Sequence, residues 1–145
     1  MDIYTQFVWN KNLSFFGLIW YILLVIGLWN TFEKAGEAGW KALIPIYNFY
    51  ILFKIAQVSP LFWLAAGCLA LAALSYALAK ILFIFYPVGW ILSIGAMIIQ
   101  LMMWYRLSVL FGHGMGYALG LWILNPIFIM ILGFGSSRYM GRRYY

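Results

Sequence analysis

The sequence predicts an all-α integral membrane protein with four transmembrane helices and one interfacial or re-entrant helix between the first two. Of the 145 residues, 67% are hydrophobic and only 8% are charged, whereas a soluble domain carries roughly 25% charged residues. The apolar residues also form separate runs, each close to the ~20 residues that a helix needs to cross the hydrocarbon of a bilayer. A soluble fold of this length could not bury so much apolar surface, so we expect lipid to cover it.

Four apolar runs are long enough to predict crossings. The predicted spans cover about residues 13–31, 61–86, 88–110 and 117–134 of a single membrane domain, 1–145. Pro60 suits the start of the second helix, and Pro87 suits the position just past its end. We expect the first span to be a retained helix rather than a signal peptide, because no small-residue cleavage site directly follows it.

The segment between the first two spans has a different pattern. It is polar as far as Lys41, and residues 42–59 are apolar but interrupted by Pro45, Asn48 and Lys54. An apolar stretch this short and interrupted is more typical of an interfacial or re-entrant helix than of a fifth crossing. We favour a helix at the membrane surface, with re-entry as the alternative.

The net charge of +6 comes from nine Lys and Arg residues against three acids. Basic residues beside apolar spans are expected from insertion and from anionic lipid, and no clustered cations form a groove for nucleic acid. We therefore expect the lipid bilayer, and not nucleic acid, as a partner.

The distribution of cations gives no orientation. Four crossings place both termini on the same side of the cell (inner) membrane. They divide the cations five to four, with Lys11, Lys80, Arg138, Arg142 and Arg143 on one side and Lys34, Lys41, Lys54 and Arg106 on the other. The positive-inside rule needs a clearer imbalance than this.

Two rows of small residues predict close helix packing, because small side chains let helix backbones approach each other in lipid. The first row is Gly112, Gly116 and Gly120, and the second is Ala66, Ala70, Ala73 and Ala77. Packing within the chain and packing against another subunit both fit these rows.

Some aromatic and polar residues are expected at particular depths in the membrane. Most Trp and Tyr residues, Trp104 and Tyr139 among them, lie near predicted span ends and indicate an aromatic belt at the headgroups. Lys80 lies about seven residues before the predicted end of the second span, close enough for its side chain to reach the interface. Gln100 is expected inside a span, where a single amide is typical of a hydrogen bond between helices.

The richest polar cluster follows the first predicted span. Its candidate interaction residues are Glu33, Lys34, Glu37, Trp40, Lys41, Pro45, Tyr47 and Asn48. Glu37 precedes Lys41 by four residues, which is the favourable order for an ion pair on a helix. Three interpretations stay open: a solvated turn with internal ion pairs, a docking surface for a partner, and an ion or substrate site at Glu33 and Glu37.

The sequence predicts no catalytic residue, metal site or cofactor. The single histidine, His113, has no acid near it in sequence, and no serine stands in a nucleophile elbow. Ser75 and Lys80 are five residues apart and therefore fall on different faces of a helix. The single cysteine, Cys68, is expected to be a small packing residue.

Several motifs resemble one family of small prokaryotic membrane proteins. They are Lys-Ala-Gly at 34–36, Gly-Trp-Lys-Ala-Leu-Ile-Pro-Ile-Tyr-Asn at 39–48, Phe-Gly at 111–112 and Gly-Phe-Gly at 133–135. Together they are similar to the family catalogued as domain of unknown function 5684, and the resemblance covers most of the chain. His113 stands where that family usually has a basic residue after the Phe-Gly pair.

The resemblance implies no settled activity. Members of the family are often labelled signal peptidase I, an enzyme type with a Ser–Lys dyad on a sizeable β-rich domain outside the membrane. This sequence argues against that label, because no loop is long enough to fold such a domain.

Our first hypothesis is a non-enzymatic accessory or scaffold subunit of a larger membrane complex, with other membrane subunits or further copies of itself as partners. The alternative is a small oligomeric channel or transporter. In that case the segment after Trp40 re-enters the membrane, and Gln100, Glu33 and Glu37 face a cavity.

Overall fold

The computed structural model describes residues 3–141, with side chains from residue 15 onward, and all regular structure in this part of the chain is helical. The helices are α1 (Ile3–Lys34), α2 (Pro45–Ile55), α3 (Ser59–Ala79), α4 (Phe85–Leu110), α5 (Met115–Ile123) and α6 (Asn125–Phe134), with a short 3-10 helix at Gly39–Leu43. Within the described range, α1, α3 and α4 are long and apolar enough to cross a membrane, and α6 is a shorter apolar helix. The predicted class, an all-α membrane protein, is confirmed.

The boundary between the second and third predicted spans is wrong. α3 ends at Ala79, and a turn leads to α4, which begins at Phe85. Pro87 lies inside the first turn of α4, where proline is tolerated because the N–H groups there have no partner within the helix. Lys80 is therefore an exposed residue at the end of α3 rather than a residue well inside a span.

The predicted fourth span, 117–134, is not one helix. The chain leaves helical geometry at Leu124, with φ −111° and ψ 48°, and α6 starts with the Asn125–Pro126 pair. Proline has no N–H to continue the ladder of α5 and restricts the residue before it. The Tyr117 hydroxyl donates to the Phe128 carbonyl at 2.9 Å, so α6 runs back beside α5. We call this pair, Met115–Phe134, the C-terminal hairpin.

Residues 37–55 form a second hairpin, which we call the N-terminal hairpin. Its first arm runs back along α1: Gly39 packs against the Trp29 indole, and the Tyr21 hydroxyl donates to the Leu43 carbonyl at 3.2 Å. Its second arm is α2, which returns to the level of Glu37, because Lys54 Nζ lies 2.6 Å from Glu37 Oε1. The hairpin turns at Ile44, immediately before Pro45 begins α2.

α6 lies parallel to α1. Gly27 faces Ile129, and a Cβ added at Gly133 would lie 2.7 Å from the Gly27 carbonyl oxygen. Further along, Lys34 Nζ donates to the carbonyls of Leu132 at 2.7 Å and Gly135 at 2.6 Å. A cation that binds the last carbonyls of a helix also interacts favourably with its dipole.

The segment after α6 joins the helices that finish at the same end. The Tyr139 hydroxyl donates to the Ile55 carbonyl at 2.6 Å, and the Met140 N–H donates to the Leu110 carbonyl at 2.7 Å. α1, α2, α4 and α6 all finish at this end of the bundle, which we call the upper end. Tyr139 is buried against these helices, and its predicted depth at the headgroups stays a prediction.

Neither predicted small-residue row forms a continuous helix-packing surface within the described part of the chain. Ala66, Ala70, Ala73 and Ala77 are exposed, whereas the α3 face that packs on α4 carries Ala65, Ala72 and Ser75. Gly112 lies in the turn before α5 at φ +80°, a conformation that favours glycine. Gly116 has open space around it, and only Gly120 of its row makes a close contact, with the Phe128 ring.

We expect Gly133→Ala to destabilise the protein by about 1–3 kcal/mol, because the added methyl group meets backbone of α1 and forces two helices apart. The measurement is thermal unfolding in detergent. The matched control is Gly95→Ala in α4, where no atom of the described residues lies within 4 Å of the added atom and helix propensity favours alanine. Equal effects of the two changes would contradict the close packing of α1 and α6.

We expect Lys34→Met to lower the free energy of unfolding by about 2 kcal/mol, because two carbonyls lose a charged hydrogen-bond donor. Lys80→Met removes the same charge at an exposed position and should change stability by less than ~0.5 kcal/mol. Chemical denaturation of both variants tests this difference. The proposed anchoring of α6 fails if the two lysines prove equivalent.

Candidate functional site

A cleft of about 100 Å³ lies between α2 and the tip of the C-terminal hairpin. Four helices contribute its walls: Trp20, Leu24 and Leu28 from α1, Asn48, Phe49 and Leu52 from α2, Trp104 from α4, and Asn125, Pro126 and Ile129 from α6. Most of these side chains are apolar. The exceptions are the amides of Asn48 and Asn125 and the indole N–H groups of Trp20 and Trp104.

Two of the polar groups have no partner. Trp104 is only 1% exposed, and its Nε1 has no hydrogen-bond partner among the described residues. The Oδ1 atom of Asn125 is buried and likewise unpaired within this part of the chain. An unpaired buried polar group costs about 1–3 kcal/mol, so such groups are rare and point to strain, function or a bound molecule.

Asn48 has a structural role beside the same cleft. It is buried, and its Nδ2 donates to the Ala42 carbonyl at 3.2 Å, which joins α2 to the first arm of the N-terminal hairpin. The Tyr21 hydroxyl likewise donates a hydrogen bond to the neighbouring Leu43 carbonyl. Side chains thus satisfy backbone carbonyls where the hairpin turns.

The break before α6 places Asn125 in the cleft. Because the helix begins here, Asn125 and Pro126 line the cleft at the positive end of the α6 dipole. None of the described side chains caps this helix start. Ionisable residues are missing from the described lining of the cleft, so its polar character comes from amide, indole and backbone dipoles.

At the upper end, Glu37 forms the centre of an ion-pair cluster. Its side chain is 3% exposed and pairs with both Lys41 and Lys54. Desolvation acts to raise the pKa of Glu37, but hydrogen bonds and charge from the two lysines together lower this pKa below its usual value. The Glu37–Lys41 pair predicted from the spacing is confirmed, and the pair with Lys54 connects the two arms of the N-terminal hairpin.

The candidate interaction residues divide into an exposed and an engaged set. Glu33, Trp40, Pro45 and Tyr47 are exposed, whereas Lys34, Glu37, Lys41 and Asn48 make the contacts described above. Glu33 does not join the Glu37 cluster, because its Oε1 accepts a hydrogen bond from Trp29 Nε1 at 2.7 Å. Half of the candidate interaction residues therefore already make contacts within the chain, and the docking role stays a prediction.

Gln100 lies outside the cleft. It borders a separate apolar groove of about 500 Å³ between α2, α3 and α4, together with Pro45, Ala66 and Ser93. The alternative hypothesis from sequence placed Gln100, Glu33 and Glu37 around one cavity, and the structure keeps them apart.

Sequence reasoning missed Trp104 and Asn125. Trp104 was expected in the aromatic belt, but it is part of the core. The Asn125–Pro126 pair is a turn signal inside an apolar run, and it would have revealed the break in the predicted fourth span. No local signal marks Trp104 as a cleft residue, because its burial depends on packing between helices distant in sequence.

These features define the class of the protein: an all-α membrane protein with three long apolar helices and two short helical hairpins. The chain belongs to a family of unknown function, DUF5684, whose family model matches residues 40–142. Neither the curated proteins nor the solved structures contain a match to the chain.

We expect acid to destabilise the protein through Glu37. The pKa of this group is lower in the folded than in the unfolded state, so its stabilising effect is complete above about pH 4.5 and is lost as the pH falls through the folded-state pKa. Melting temperatures measured from neutral pH to about pH 3 should therefore fall less steeply for Glu37→Gln than for the parent protein. Identical pH profiles would contradict this role of the ion pairs.

Proposed function

We propose that this chain is a non-enzymatic membrane transport protein, a small channel or transporter whose solute path runs between the tips of the two hairpins. One observation carries the proposal. Two half-length helices begin near buried polar groups that have no partner among the described residues, and both return to the same end of the bundle.

The lengths of the half helices support this function. α2 has 11 residues and α6 has 10, which corresponds to about 15 Å of rise each and to roughly half of a hydrocarbon layer ~30 Å thick. With the upper end at one membrane surface, the cleft lies near the midplane of the bilayer. Transporters commonly place their substrate sites at this depth, where discontinuous helices end.

The cations support an orientation for this arrangement. Most lysines and arginines with described side chains lie toward the upper end, namely Lys34, Lys41, Lys54, Arg106 and Arg138. Within this set of described side chains, Lys80 is the one that lies at the opposite end. By the positive-inside rule the upper end faces the cytoplasm, and both hairpins enter from that side. Three crossings then put the start of α1 and the end of α6 on opposite sides, unlike the same-side topology expected from four.

An accessory or scaffold subunit remains the second candidate, and one observation favours it. The alanine row of α3, Ala66 to Ala77, is exposed and would let a helix of another subunit approach closely. Mild purification from the native membrane followed by mass spectrometry addresses this candidate. A partner at fixed ratio supports it, and a homo-oligomer with nothing else bound supports the transport proposal.

We expect water to reach the hairpin tips. In a Cys68→Ala background, Phe49→Cys and Leu124→Cys should react with a small water-soluble thiol reagent, because the transport path hydrates this region. Leu71→Cys is the matched control, since Leu71 lies exposed on α3 away from the cleft and should stay unlabelled. Reaction confined to a headgroup-level position such as Trp40→Cys would contradict the transport proposal.

A further inference from the structure

We propose that a second, polar cleft at the upper end binds the headgroup of a membrane phospholipid that carries both a phosphate and an ammonium group, as phosphoethanolamine does. This cleft has a volume of about 410 Å³ and lies between the end of α1 and the segment after α6, lined chiefly by Glu33, Lys34 and residues 135–139. We call it the headgroup cleft. It shares no lining residue with the cleft at Trp104, so the lipid site does not depend on the proposed transport path.

The lining of the headgroup cleft supplies cations and hydroxyl groups. None of its described residues has an aliphatic side chain, and Ser136 and Ser137 contribute hydroxyls beside the charged side chains of Lys34 and Arg138. Arg138 is exposed and has no ion-pair partner among the described residues. Phosphate oxygens bind guanidinium, ammonium and hydroxyl donors in charge-assisted hydrogen bonds. This set of donors fits the phosphate of the headgroup.

The two cations lie within reach of a common ligand. Lys34 Nζ donates to the carbonyls of Leu132 and Gly135 at 2.7 and 2.6 Å, and because an ammonium group has three N–H donors, one remains for a ligand. Arg138 follows Gly135 by three residues, which span at most about 11 Å of extended chain. The long side chain of Arg138 can therefore approach a phosphate that is bound beside Lys34.

Contacts behind the cleft hold the segment after α6 in place. Ser137 Oγ lies 2.8 Å from His113 Nε2, and the His113 ring stacks on Tyr117 with ring centroids 4.1 Å apart. Tyr139, the last lining residue of this segment, donates to the Ile55 carbonyl at 2.6 Å. Since the wall is already ordered, binding loses little conformational entropy.

Glu33 accounts for the ammonium group of the ligand. It is exposed in the same cleft, and its Oε1 accepts a hydrogen bond from Trp29 Nε1 at 2.7 Å. Both described ion pairs belong to Glu37, so Glu33 pairs with neither Lys34 nor Arg138. The cleft thus presents separate positive and negative groups. A ligand with a phosphate and an ammonium matches both, whereas a purely anionic headgroup meets the carboxylate unfavourably.

The surroundings of the cleft favour a lipid over a soluble phosphate ester. Lys34 is the last residue of α1, a helix long enough to cross the membrane, so the cleft lies at headgroup depth. Ile127, Ile131 and Phe134 are exposed on α6 and share one helical face by their spacing. This apolar face leads up to Gly135 in the lining. Acyl chains can cover it while the headgroup occupies the cleft.

The test is native mass spectrometry of the delipidated protein in detergent, titrated with three lipids that have identical acyl chains. Phosphatidylethanolamine carries both charges, phosphatidylglycerol carries only the phosphate, and diacylglycerol carries neither. Arg138→Gln removes the proposed phosphate ligand. Arg106→Gln is the matched control, because Arg106 is an exposed arginine on α4 outside the lining of the cleft.

We expect a single tightly bound phosphatidylethanolamine per chain, with about tenfold weaker binding in Arg138→Gln because a charge-assisted hydrogen bond is lost. Arg106→Gln should bind like the parent protein. The parent should prefer phosphatidylethanolamine over phosphatidylglycerol by about two- to fivefold, the effect of an exposed ion pair. Glu33→Gln keeps an acceptor for Trp29 and should lose this preference.

Three results would overturn the proposal. They are equal binding of phosphatidylethanolamine and diacylglycerol, equal binding of phosphatidylethanolamine and phosphatidylglycerol by the parent protein, and equal effects of the two arginine substitutions. Soluble phosphoethanolamine is the competitor that separates the two sources of this chemistry. Binding as tight as that of the lipid would assign the cleft to a soluble ester and overturn the lipid site. Thermal unfolding reports whether each variant is folded, and the lipid preference of the parent protein decides without any variant.

Discussion

The need to satisfy backbone polar groups inside an apolar environment governs this structure. Where the hydrocarbon of a bilayer surrounds a chain, an unpaired N–H or carbonyl costs several kcal/mol, so interrupted helices survive only where other protein groups or a cavity cover the break. Helical structure is interrupted at two such places, before α2 and before α6. At the first break, Tyr21 and Asn48 bind the carbonyls of Leu43 and Ala42. At the second, polar atoms of Asn125 and Trp104 have no partner among the described residues, and this difference is why we place the proposed solute path there.

The contacts at the upper end hold the two tips in place. Each half helix is too short to be stable alone, so its far end must be fixed. Lys34 binds the end of α6 to α1, the Glu37–Lys54 pair closes the N-terminal hairpin, and Tyr139 joins α2 to the segment after α6. Residues that the sequence presents as one polar cluster thus have separate structural tasks. A docking role remains for its exposed members, such as Trp40 and Tyr47.

Composition and hydropathy were sufficient to predict the fold class, the long helices and the unusual segment 42–59, because these depend on local sequence. The hairpin geometry depends on contacts between distant residues, such as Lys34 with Gly135, and no local pattern encodes it. Within the chain, the buried face of α3 carries Ala65 rather than the predicted Ala66, because a uniformly apolar helix has no polar face to fix its rotation; packing of the predicted row against another subunit stays a prediction. The Asn125–Pro126 pair does indicate a turn in the sequence, but the apolar residues on both sides of it favoured a single transmembrane helix.

The central claim is that residues 115–134 form a hairpin that enters and leaves the bundle at one end. In sealed vesicles of known orientation, membrane-impermeant thiol reagents applied from each side test it directly with Met115→Cys and Phe134→Cys in the Cys68→Ala background. Both side chains are exposed. The hairpin predicts that both cysteines react from the same side, which the positive-inside rule assigns to the cytoplasm. Reaction of the two cysteines from opposite sides would show that this segment is a continuous fourth crossing and would contradict the re-entrant architecture.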